Sequence, residues 1–375
     1  MKKKSVMIIA GEDSGDLHGS NLVKAMQEKN DGISFIGIGG QALKDAGVRI
    51  LADASDISVV GITEVFSKIP SLFRGAALAK KSLKKLHPDL LILIDFPDFN
   101  LHVACTAKKL NIPVLYYISP QIWAWRTGRI KKIGERADHV AVILPFEEDF
   151  YKGYNIPVTF VGHPLLDTYQ EPIGKGLEKT SDDVPVIGLL PGSRDREIAR
   201  HLPVMLDAAM ILSKRIKNVR FVVSIAPSVE RKYVEAVTIN YQGLVNFTLT
   251  TENVQKIFNQ CTFVIASSGT VTLESAISGT PMVIIYKVSP VSAWVGRALI
   301  RVKHVGLVNL IAGKEVVPEL LQDKASPENI ADTVYSMLND AAGLERLRNE
   351  LLDTRDLLGG PGASKRVANI AINML

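Results

Sequence analysis

Short apolar runs recur along the whole chain and alternate with longer segments of helical spacing. In the first half they are VMIIA (6–10), SFIGIGG (34–40), ISVV (57–60), LLILID (90–95), VLYYIS (114–119), HVAVIL (139–144) and VTFVG (158–162). In the second half they are VIGLLP (186–191), RFVVSIA (220–226), LVNFTL (244–249), FVIASS (263–268) and PMVIIY (281–286). Because these runs are continuous, they predict strands covered on both faces, with crossover helices between them. The order predicts an α/β protein with doubly wound parallel sheets.

The alternation is interrupted once, by the polar segment 163–185, which contains Pro and Gly but no strand pattern. We interpret this segment as the junction between two Rossmann-like domains, residues 1–170 and 171–340, facing each other across a cleft. The remaining segment, 341–375, has a helical pattern and is expected to pack back across the junction. A chain of 375 residues has the length for two such domains.

The net charge of +5 and a pI near 9.0 favour an anionic partner, either a phosphorylated substrate or an anionic membrane. Nucleic acid ranks last, since the sequence has no zinc-finger, RRM or KH signature. No apolar run reaches the roughly 18 residues that span a bilayer. The first apolar stretch meets Glu12 too early for a signal peptide, so a cytoplasmic protein is expected.

The cysteine and histidine patterns argue against metal chemistry. Cys105 and Cys261 form no CxxC pair, and the seven histidines show no HExxH spacing. Neither a disulfide framework nor a zinc site is expected, and no metal or cofactor is predicted.

Two segments of the second half combine a strand end, a glycine turn and a helix start. In LLPGSR (189–194), the turn leads to Arg194, which suits a phosphate site and equally an N-cap serine with a surface arginine. In ASSGTVTLE (266–274), a helix starts near Thr270, and Glu274 follows within that helix. Glu274 suits paired ribose hydroxyls, but it also suits a capping box that only supports the helix. The presence of both segments in one domain favours a nucleotide site.

The first strand-to-helix turn, AGEDSGD (10–16), carries acids where a dinucleotide site would need GxGxxG. The acids Glu12, Asp13 and Asp16 would repel a pyrophosphate, but together with Ser14 they could bind sugar hydroxyls. This argues against NAD or FAD.

Two further stretches have a structural and a functional interpretation. In ISPQIWAWR (118–126), the tryptophans can be core residues, or one of them can pack on a sugar or an acyl chain. Residues 61–88 combine an apolar stripe with four lysines, and Pro70 is expected to break or restart the helix. This amphipathic stretch suits either an ordinary crossover helix or contact with an anionic membrane. The stripe and the lysines are Val65, Phe66, Ile69, Leu72, Phe73, Lys80, Lys81, Lys84 and Lys85.

Together these motifs resemble the lipid-A-disaccharide synthases, bacterial glycosyltransferases of the GT-B fold. The resemblance covers nearly the whole chain, and its motifs occur in order. They are AGEDSGD, GITEV (61–65), IDFPDFN (94–100), ISPQIWAWR, LPFE (144–147), VGHPL (161–165), LLPGSR, ASSGTVTLE and LVNLIAGKEVVPELLQ (307–322). Two positions depart from the family pattern: Phe96 stands where a small residue is expected, and Val308 where proline is common.

The resemblance implies an inverting transfer from UDP-2,3-diacylglucosamine to 2,3-diacylglucosamine 1-phosphate, in lipid A biosynthesis. It implies Asp98 as the general base, with Asp95 orienting the loop. It implies a set of residues that bind the nucleotide: Arg194, Ser268, Gly269, Thr270, Glu274, Asn309, Glu319 and Gln322. For the acceptor it implies Glu12, Ser14, Asp16, Trp125 and Arg126.

The acylated substrates imply a peripheral protein on the cytoplasmic face of the bacterial inner membrane, touching it through Val65, Phe66, Ile69, Leu72 and Phe73. A homodimer is left open. Two alternatives remain at this stage, a UDP-N-acetylglucosamine 2-epimerase-like enzyme and a non-catalytic nucleotide-sugar binding protein. The epimerase would share the nucleotide half without a lipid-seeking face, and the binding protein would need no base at Asp98.

Overall fold

The structure is a computed structural model that describes residues 4–54, 65–125, 127–169, 184–289 and 302–375, apart from the side chains of residues 65–70, 125 and 127. The chain divides into two compact units. The first comprises Met1–Thr168 and Leu358–Leu375, and the second comprises Tyr169–Leu357.

The first unit is built on a seven-stranded sheet in the order β3-β2-β1-β4-β5-β6-β7. Every described pair of neighbouring strands is parallel. The strands are β1 (Lys4–Ala10), β2 (Ile33–Gly39), β3 (Arg49–Asp53), β4 (Leu90–Ile94), β5 (Val114–Tyr117), β6 (His139–Val142) and β7 (Val158–Phe160). The helices of this part of the chain are α1 (Asp13–Lys29), α2 (Gln41–Asp45), α3 (Val65–Leu86), α4 (Pro97–Lys109), α5 (Ile122–Trp125), α6 (Ile130–Arg136) and α7 (Pro145–Lys152), with 3-10 turns at Thr127–Arg129 and Pro164–Asp167.

The second unit has a six-stranded parallel sheet in the order β10-β9-β8-β11-β12-β13. Its strands are β8 (Val186–Leu190), β9 (Arg220–Ser224), β10 (Phe247–Thr250), β11 (Phe263–Ser267), β12 (Met282–Tyr286) and β13 (Glu319–Leu321). Its helices are α8 (Asp195–Arg215), α9 (Arg231–Thr238), α10 (Val254–Gln260), α11 (Thr270–Ile277), α12 (Leu307–Ala312), α13 (Pro327–Leu338) and α14 (Ala341–Asp356), with 3-10 turns at Ile239–Tyr241 and Gln322–Lys324.

Each sheet is covered on both faces, as the continuous apolar runs predict. In β4, all five residues are buried, and alternate residues belong to opposite cores: Leu91 and Leu93 to one, and Leu90, Ile92 and Ile94 to the other. Strand β11 divides in the same way between the two cores of the second unit. The predicted α/β fold, with two Rossmann-like units as in GT-B enzymes, is confirmed.

The chain returns to the first unit at its end. Helix α15 (Ala363–Asn373) contributes Val367, Ala368 and Ala371 to the core beside α1, whereas α14 belongs to the second unit. Asp167 fixes the start of α15, since its carboxylate accepts the backbone N–H of Gly362 at 2.6 Å.

The structure contains two strands that the sequence did not predict, and it corrects one prediction. Strands β3 and β13 were not predicted, because RILAD is not a continuous apolar run and ELL is only three residues long. Helix α3 continues through Pro70, so the predicted break there is wrong. A proline inside a helix removes one backbone hydrogen bond, and the neighbouring turns of this 22-residue helix keep theirs. The predicted strand ISVV (57–60) and the junction residues 170–183 lie outside the described residues.

Candidate active site

The strand order of the second unit brings the two predicted nucleotide loops together. Strands β8 and β11 are direct neighbours, and the chain order reverses between them. In open parallel sheets, ligands bind at the carboxyl ends of strands at such a switch point. The segments that leave these two strands, 191–194 and 268–271, line a cavity of about 680 Å³ together with Glu274.

Gly192 and Glu197 shape the loop after β8. Gly192 has a φ of +127°, and a Cβ atom there would lie 2.3 Å from Glu197 Oε2. The Glu197 carboxylate accepts the backbone N–H of Ser193 at 2.9 Å and an Arg194 guanidinium hydrogen at 3.1 Å. Arg194 is itself the N-cap of α8, and its side chain is 64% exposed. The Glu197 carboxylate therefore already accepts the hydrogens of Ser193 and Arg194 at the start of α8, where a phosphate would also bind.

The loop after β11 presents backbone to the cavity. A Cβ atom on Gly269 would meet nothing within 4 Å, and Thr270 is exposed at the first position of α11. The first N–H groups of a helix have no partner inside the helix, so this end can bind an anion. Ser268 donates its hydroxyl hydrogen to the carbonyl of Val305 at 3.2 Å, which joins this loop to the segment before α12.

Tyr169 supports Glu274, since its hydroxyl donates to Glu274 Oε1 at 3.3 Å. Burial raises the pKa of Glu274 to about 7, and the hydrogen bond from Tyr169 opposes this rise. The N-cap of α11 is Gly269, so Glu274 does not form the capping box that remained open from the sequence. The Glu274 carboxyl lines the cavity, and with a pKa of about 7 it is partly ionised at neutral pH. In its ionised form it can accept hydrogen bonds from hydroxyl groups.

The structure places Asn309 and Glu319 behind the cavity wall and not in it. Asn309 is fully buried, donates to Glu319 Oε1 at 2.8 Å, and accepts from the backbone N–H of Val317. Glu319 accepts the backbone N–H of Val305 at 2.8 Å and of Gly306 at 2.9 Å. These polar groups are engaged within the protein and hold the 305–306 backbone, and the direct nucleotide contact of both residues stays a prediction.

Gln322 is likewise engaged in the chain itself. Its Oε1 accepts the backbone N–H of Val288 at 3.4 Å, and its φ of 52° lies in the left-handed region. Within the described part of the second unit, the cavity lining does not include Gln322.

In the first unit, the switch point lies between β1 and β4, where Ala10 pairs with Ile94. Glu12 follows β1, and Asp95 follows β4, so their carboxylates meet at one edge of the sheet. Burial, and secondly the charge of Glu12, raise the pKa of Asp95 to about 6.

The turn at Asp95 and Phe96 is strained, with φ values of 45° and 46°. Buried side chains hold it: Asn100 donates to the Asp95 carbonyl at 2.7 Å, and Tyr116 donates to the same carbonyl at 2.9 Å. A Cβ atom at Gly11 would lie 2.3 Å from the Phe96 ring, so the aromatic residue depends on this glycine. The turn starts α4 and sets the direction of its first residues.

Asp98 lies in the first turn of α4 with its side chain 78% exposed. Its Oδ1 accepts a hydrogen from Arg129 Nη2 at 2.5 Å, and the Arg129 side chain is only 18% exposed. Asp98 thus points outward and already has a cationic partner. Arg129 was not among the predicted site residues.

The polar residues predicted after β1 to bind the acceptor separate into two groups. Glu12 and Ser14 are exposed, which leaves them able to meet a ligand. Asp16 is buried, and its carboxylate accepts the backbone N–H of Gly40 at 2.6 Å and of Ala42 at 2.8 Å. The predicted acceptor contact of Asp16 is therefore corrected: it fixes the start of α2.

The tryptophan segment is described only in part. Trp123 donates Nε1–H to Glu147 Oε1 at 3.0 Å and packs edge-on against Phe146. Glu147 is 2% exposed, and burial raises its pKa to about 7. This tryptophan has the structural role. The side chain of Trp125 and the whole of Arg126 lie outside the described residues.

The described residues of the predicted membrane-contact stripe on α3 have different surroundings. Leu72 is partly buried against the core of the first unit, whereas Phe73 is 68% exposed. The side chains of Val65, Phe66 and Ile69 lie outside the described part of the structure. No described helix is both long enough and apolar enough to cross a membrane. Among the described residues, no cluster of three or more His, Cys, Asp or Glu side chains could hold a metal ion.

The fold of two Rossmann-like units is one that solved glycosyltransferases and sugar-nucleotide epimerases share. The glycosyltransferase of kitacinnamycin is similar in structure, with a TM-score of 0.66, 13% identity and 100% coverage of both chains. The UDP-GlcNAc 2-epimerase of Neisseria meningitidis has a TM-score of 0.62 at 12% identity, covering 99% of this chain and 100% of its own. At these identities the likeness shows the fold alone.

Sequence comparison decides between these classes. The lipid-A-disaccharide synthetase family model matches residues 6–366. The lipid-A-disaccharide synthase of Syntrophus aciditrophicus is 46% identical over 100% of this chain and 99% of its own length. The chain therefore belongs to the lipid-A-disaccharide synthase family of glycosyltransferases. This agrees with the main prediction and not with the epimerase or binding-protein alternatives.

Proposed function

We propose that this protein transfers 2,3-diacylglucosamine from its UDP-activated form to the 6-hydroxyl of 2,3-diacylglucosamine 1-phosphate. The products are a β-1,6-linked disaccharide 1-phosphate and UDP. The observation that carries this proposal is that the neighbouring loops after β8 and β11 line one cavity of about 680 Å³. Backbone N–H groups at a helix start suit a phosphate. Family membership supports the identity of the sugars.

The second unit binds the donor. Arg194 and the N–H groups of Gly269 and Thr270 bind the diphosphate, since the N–H of Ser268 already donates to the Ile285 carbonyl at 3.2 Å. The ionised carboxylate of Glu274 accepts the ribose hydroxyls. Asn309 and Glu319 contribute by holding the 305–306 backbone against Ser268. A structural relative from Neisseria meningitidis was solved with UDP-GlcNAc, which supports a nucleotide sugar as the ligand of this fold.

The first unit binds the acceptor and supplies the base. Asp98 accepts the proton of the 6-hydroxyl as that oxygen attacks the anomeric carbon of the donor. The bond from this carbon to the diphosphate oxygen breaks with inversion, and the negative charge that develops on UDP is stabilised by Arg194 and the start of α11. Glu12, Ser14, Trp125 and Arg126 remain our proposed contacts to the acceptor sugar.

The protein acts at a membrane surface in this proposal, on the cytoplasmic face of the inner membrane. Both substrates carry acyl chains, and each buried CH₂ contributes about 0.8 kcal/mol, so the substrates stay in the bilayer. Exposed Phe73 and the lysines near the end of α3 support this peripheral contact.

The release of UDP tests the proposal against the other classes. A transferase releases UDP from the donor only when the acceptor is present. A 2-epimerase that releases UDP would do so without any acceptor, and a binding protein would release none. Acceptor-independent release, or no release with any acylated pair, would contradict the proposed function.

A further inference from the structure

The ion pair between Arg129 and Asp98 joins a fixed cation to an exposed anion. Arg129 Nη2 donates to Asp98 Oδ1 at 2.5 Å. The Arg129 side chain is 18% exposed and lies in the 3-10 turn that connects α5 to α6, whereas the Asp98 side chain is 78% exposed. If the pair separates, the carboxylate is therefore the group that moves, and the guanidinium keeps its place.

Such a pair is easy to exchange. Ion pairs with an exposed partner shift an equilibrium by less than about tenfold, because water solvates the separated charges well. A phosphate monoester binds a guanidinium through two parallel hydrogen bonds and carries more charge than a carboxylate, so it competes well for the same arginine. Two exposed lysines, Lys131 and Lys132, follow in the next turn and add positive charge beside it.

The same pair restrains Asp98 as a base. An oxygen that accepts a guanidinium hydrogen has one lone pair engaged, so this lone pair cannot accept the hydrogen of the acceptor hydroxyl at the same time. Proton transfer from the acceptor hydroxyl to Asp98 becomes easier once another anion replaces Asp98 on Arg129. In the proposed reaction, the acceptor brings such an anion with it.

We propose that Arg129 binds the phosphate group of the acceptor and that this phosphate displaces Asp98 from Arg129, so that Asp98 becomes an effective base only when a phosphorylated acceptor is bound. This inference rests on the proposed function, because it takes Asp98 as the base. It assigns Arg129 a role in acceptor specificity and couples acceptor binding to the start of proton transfer.

Kinetics with two acceptors test the inference: 2,3-diacylglucosamine 1-phosphate and the same sugar without phosphate. The unaltered protein should prefer the phosphorylated acceptor strongly in kcat/KM. In Arg129→Gln, the KM for the phosphorylated acceptor should rise about 10–100-fold, the equivalent of one charge-assisted hydrogen bond, and the two acceptors should become similar substrates. Arg129→Lys should restore part of the preference. The donor KM should stay the same, and Lys152→Gln, which removes another carboxylate-paired cation of the first unit, is the matched control.

A binding experiment gives a second readout that does not need turnover. Asp98→Asn removes the competing carboxylate, so calorimetry should show the phosphorylated acceptor binding several-fold more tightly to this variant than to the unaltered protein. Equal loss of kcat on both acceptors in Arg129→Gln, or weaker acceptor binding in Asp98→Asn, would overturn the inference. Failure of the unaltered protein to form any disaccharide would instead overturn the proposed function.

Discussion

Tyr169 donates its hydroxyl hydrogen to Glu274 at 3.3 Å, so the first residue of the second unit supports the carboxylate that lines the cavity between the loops after β8 and β11. The hydrogen bond favours the ionised form of Glu274 and opposes the effect of burial, which raises the pKa of that carboxyl to about 7. Both the ionisation of Glu274 and its support by Tyr169 have consequences that can be measured.

Uridine affinity should rise with pH through about 7, because only ionised Glu274 accepts both ribose hydroxyls. Uridine is the appropriate ligand, since it carries no phosphate that titrates in this range. Below the pKa, the affinity should fall by up to about tenfold per pH unit. Tyr169→Phe should move the midpoint of this pH dependence to higher pH, and Glu274→Gln should remove the dependence. Tyr335→Phe is the control, because it removes the hydroxyl of an exposed tyrosine on α13. A flat profile in the unaltered protein would show that Glu274 does not bind the ribose.

The same raised pKa affects stability with a defined sign. The folded protein binds a proton at Glu274 more tightly than the unfolded chain, whose carboxyl has its ordinary pKa of 4.5. The contribution of Glu274 to the free energy of unfolding therefore falls as pH rises from about 4.5 to about 7. In Glu274→Gln, this part of the pH dependence should be absent from denaturant unfolding curves.

Arg194 and Glu197 should have opposite effects on UDP binding. Arg194→Ala removes a charge-assisted hydrogen bond and should weaken UDP by about 1.5–3 kcal/mol. Glu197→Gln removes the carboxylate that sits at the start of α8, so UDP should bind more tightly. Calorimetry without acceptor measures both constants. If both variants weaken UDP, Glu197 supports the loop and does not compete with the diphosphate.

Asp98→Asn should keep UDP affinity and lose about 10²–10⁴-fold in turnover, the usual contribution of a positioned general base. Asp149→Asn, at an exposed position on α7, is the matched control. Near-full kcat in Asp98→Asn would place the base elsewhere, and Glu12 and Asp95, which share the same sheet edge, would be examined next.

Phe73 and Leu72 are neighbours on α3 with different surroundings, so they separate membrane contact from packing. Phe73→Ser should reduce sedimentation with anionic vesicles at low salt and leave the melting temperature unchanged, since Phe73 is 68% exposed. Leu72→Ser should lower the melting temperature, because Leu72 packs against the core. Unchanged vesicle binding in Phe73→Ser would remove this residue from the membrane contact.

Local chemistry in the sequence predicted most of the strands and the two loops that line the cavity of the second unit. The runs LLILI and FVIAS are apolar throughout, and the segments GSR and SGT follow their strands directly, so no distant contact is needed to recognise them. Strand β13 could not be recognised in the same way, because three residues that pair with β12 carry no pattern of their own.

Tertiary partners decided the rest of the site. Asp16 and Asn309 looked like ligand-binding residues, but backbone N–H groups from other segments engage them. Arg129 and Asp98 are 31 residues apart, and Tyr169 and Glu274 are 105 apart, so neither pair is visible from spacing. The sequence located the polar groups, and the fold determined which of them other parts of the chain engage.

The structure of the product tests the central claim most directly. Purified protein, incubated in excess EDTA with UDP-2,3-diacylglucosamine and 2,3-diacylglucosamine 1-phosphate, should yield UDP and one new lipid. Mass spectrometry should give the mass of the tetra-acylated disaccharide monophosphate, and NMR should show a β-1,6 linkage. An α linkage, a strict need for added Mg²⁺, or an epimerised sugar in place of a disaccharide would contradict the account.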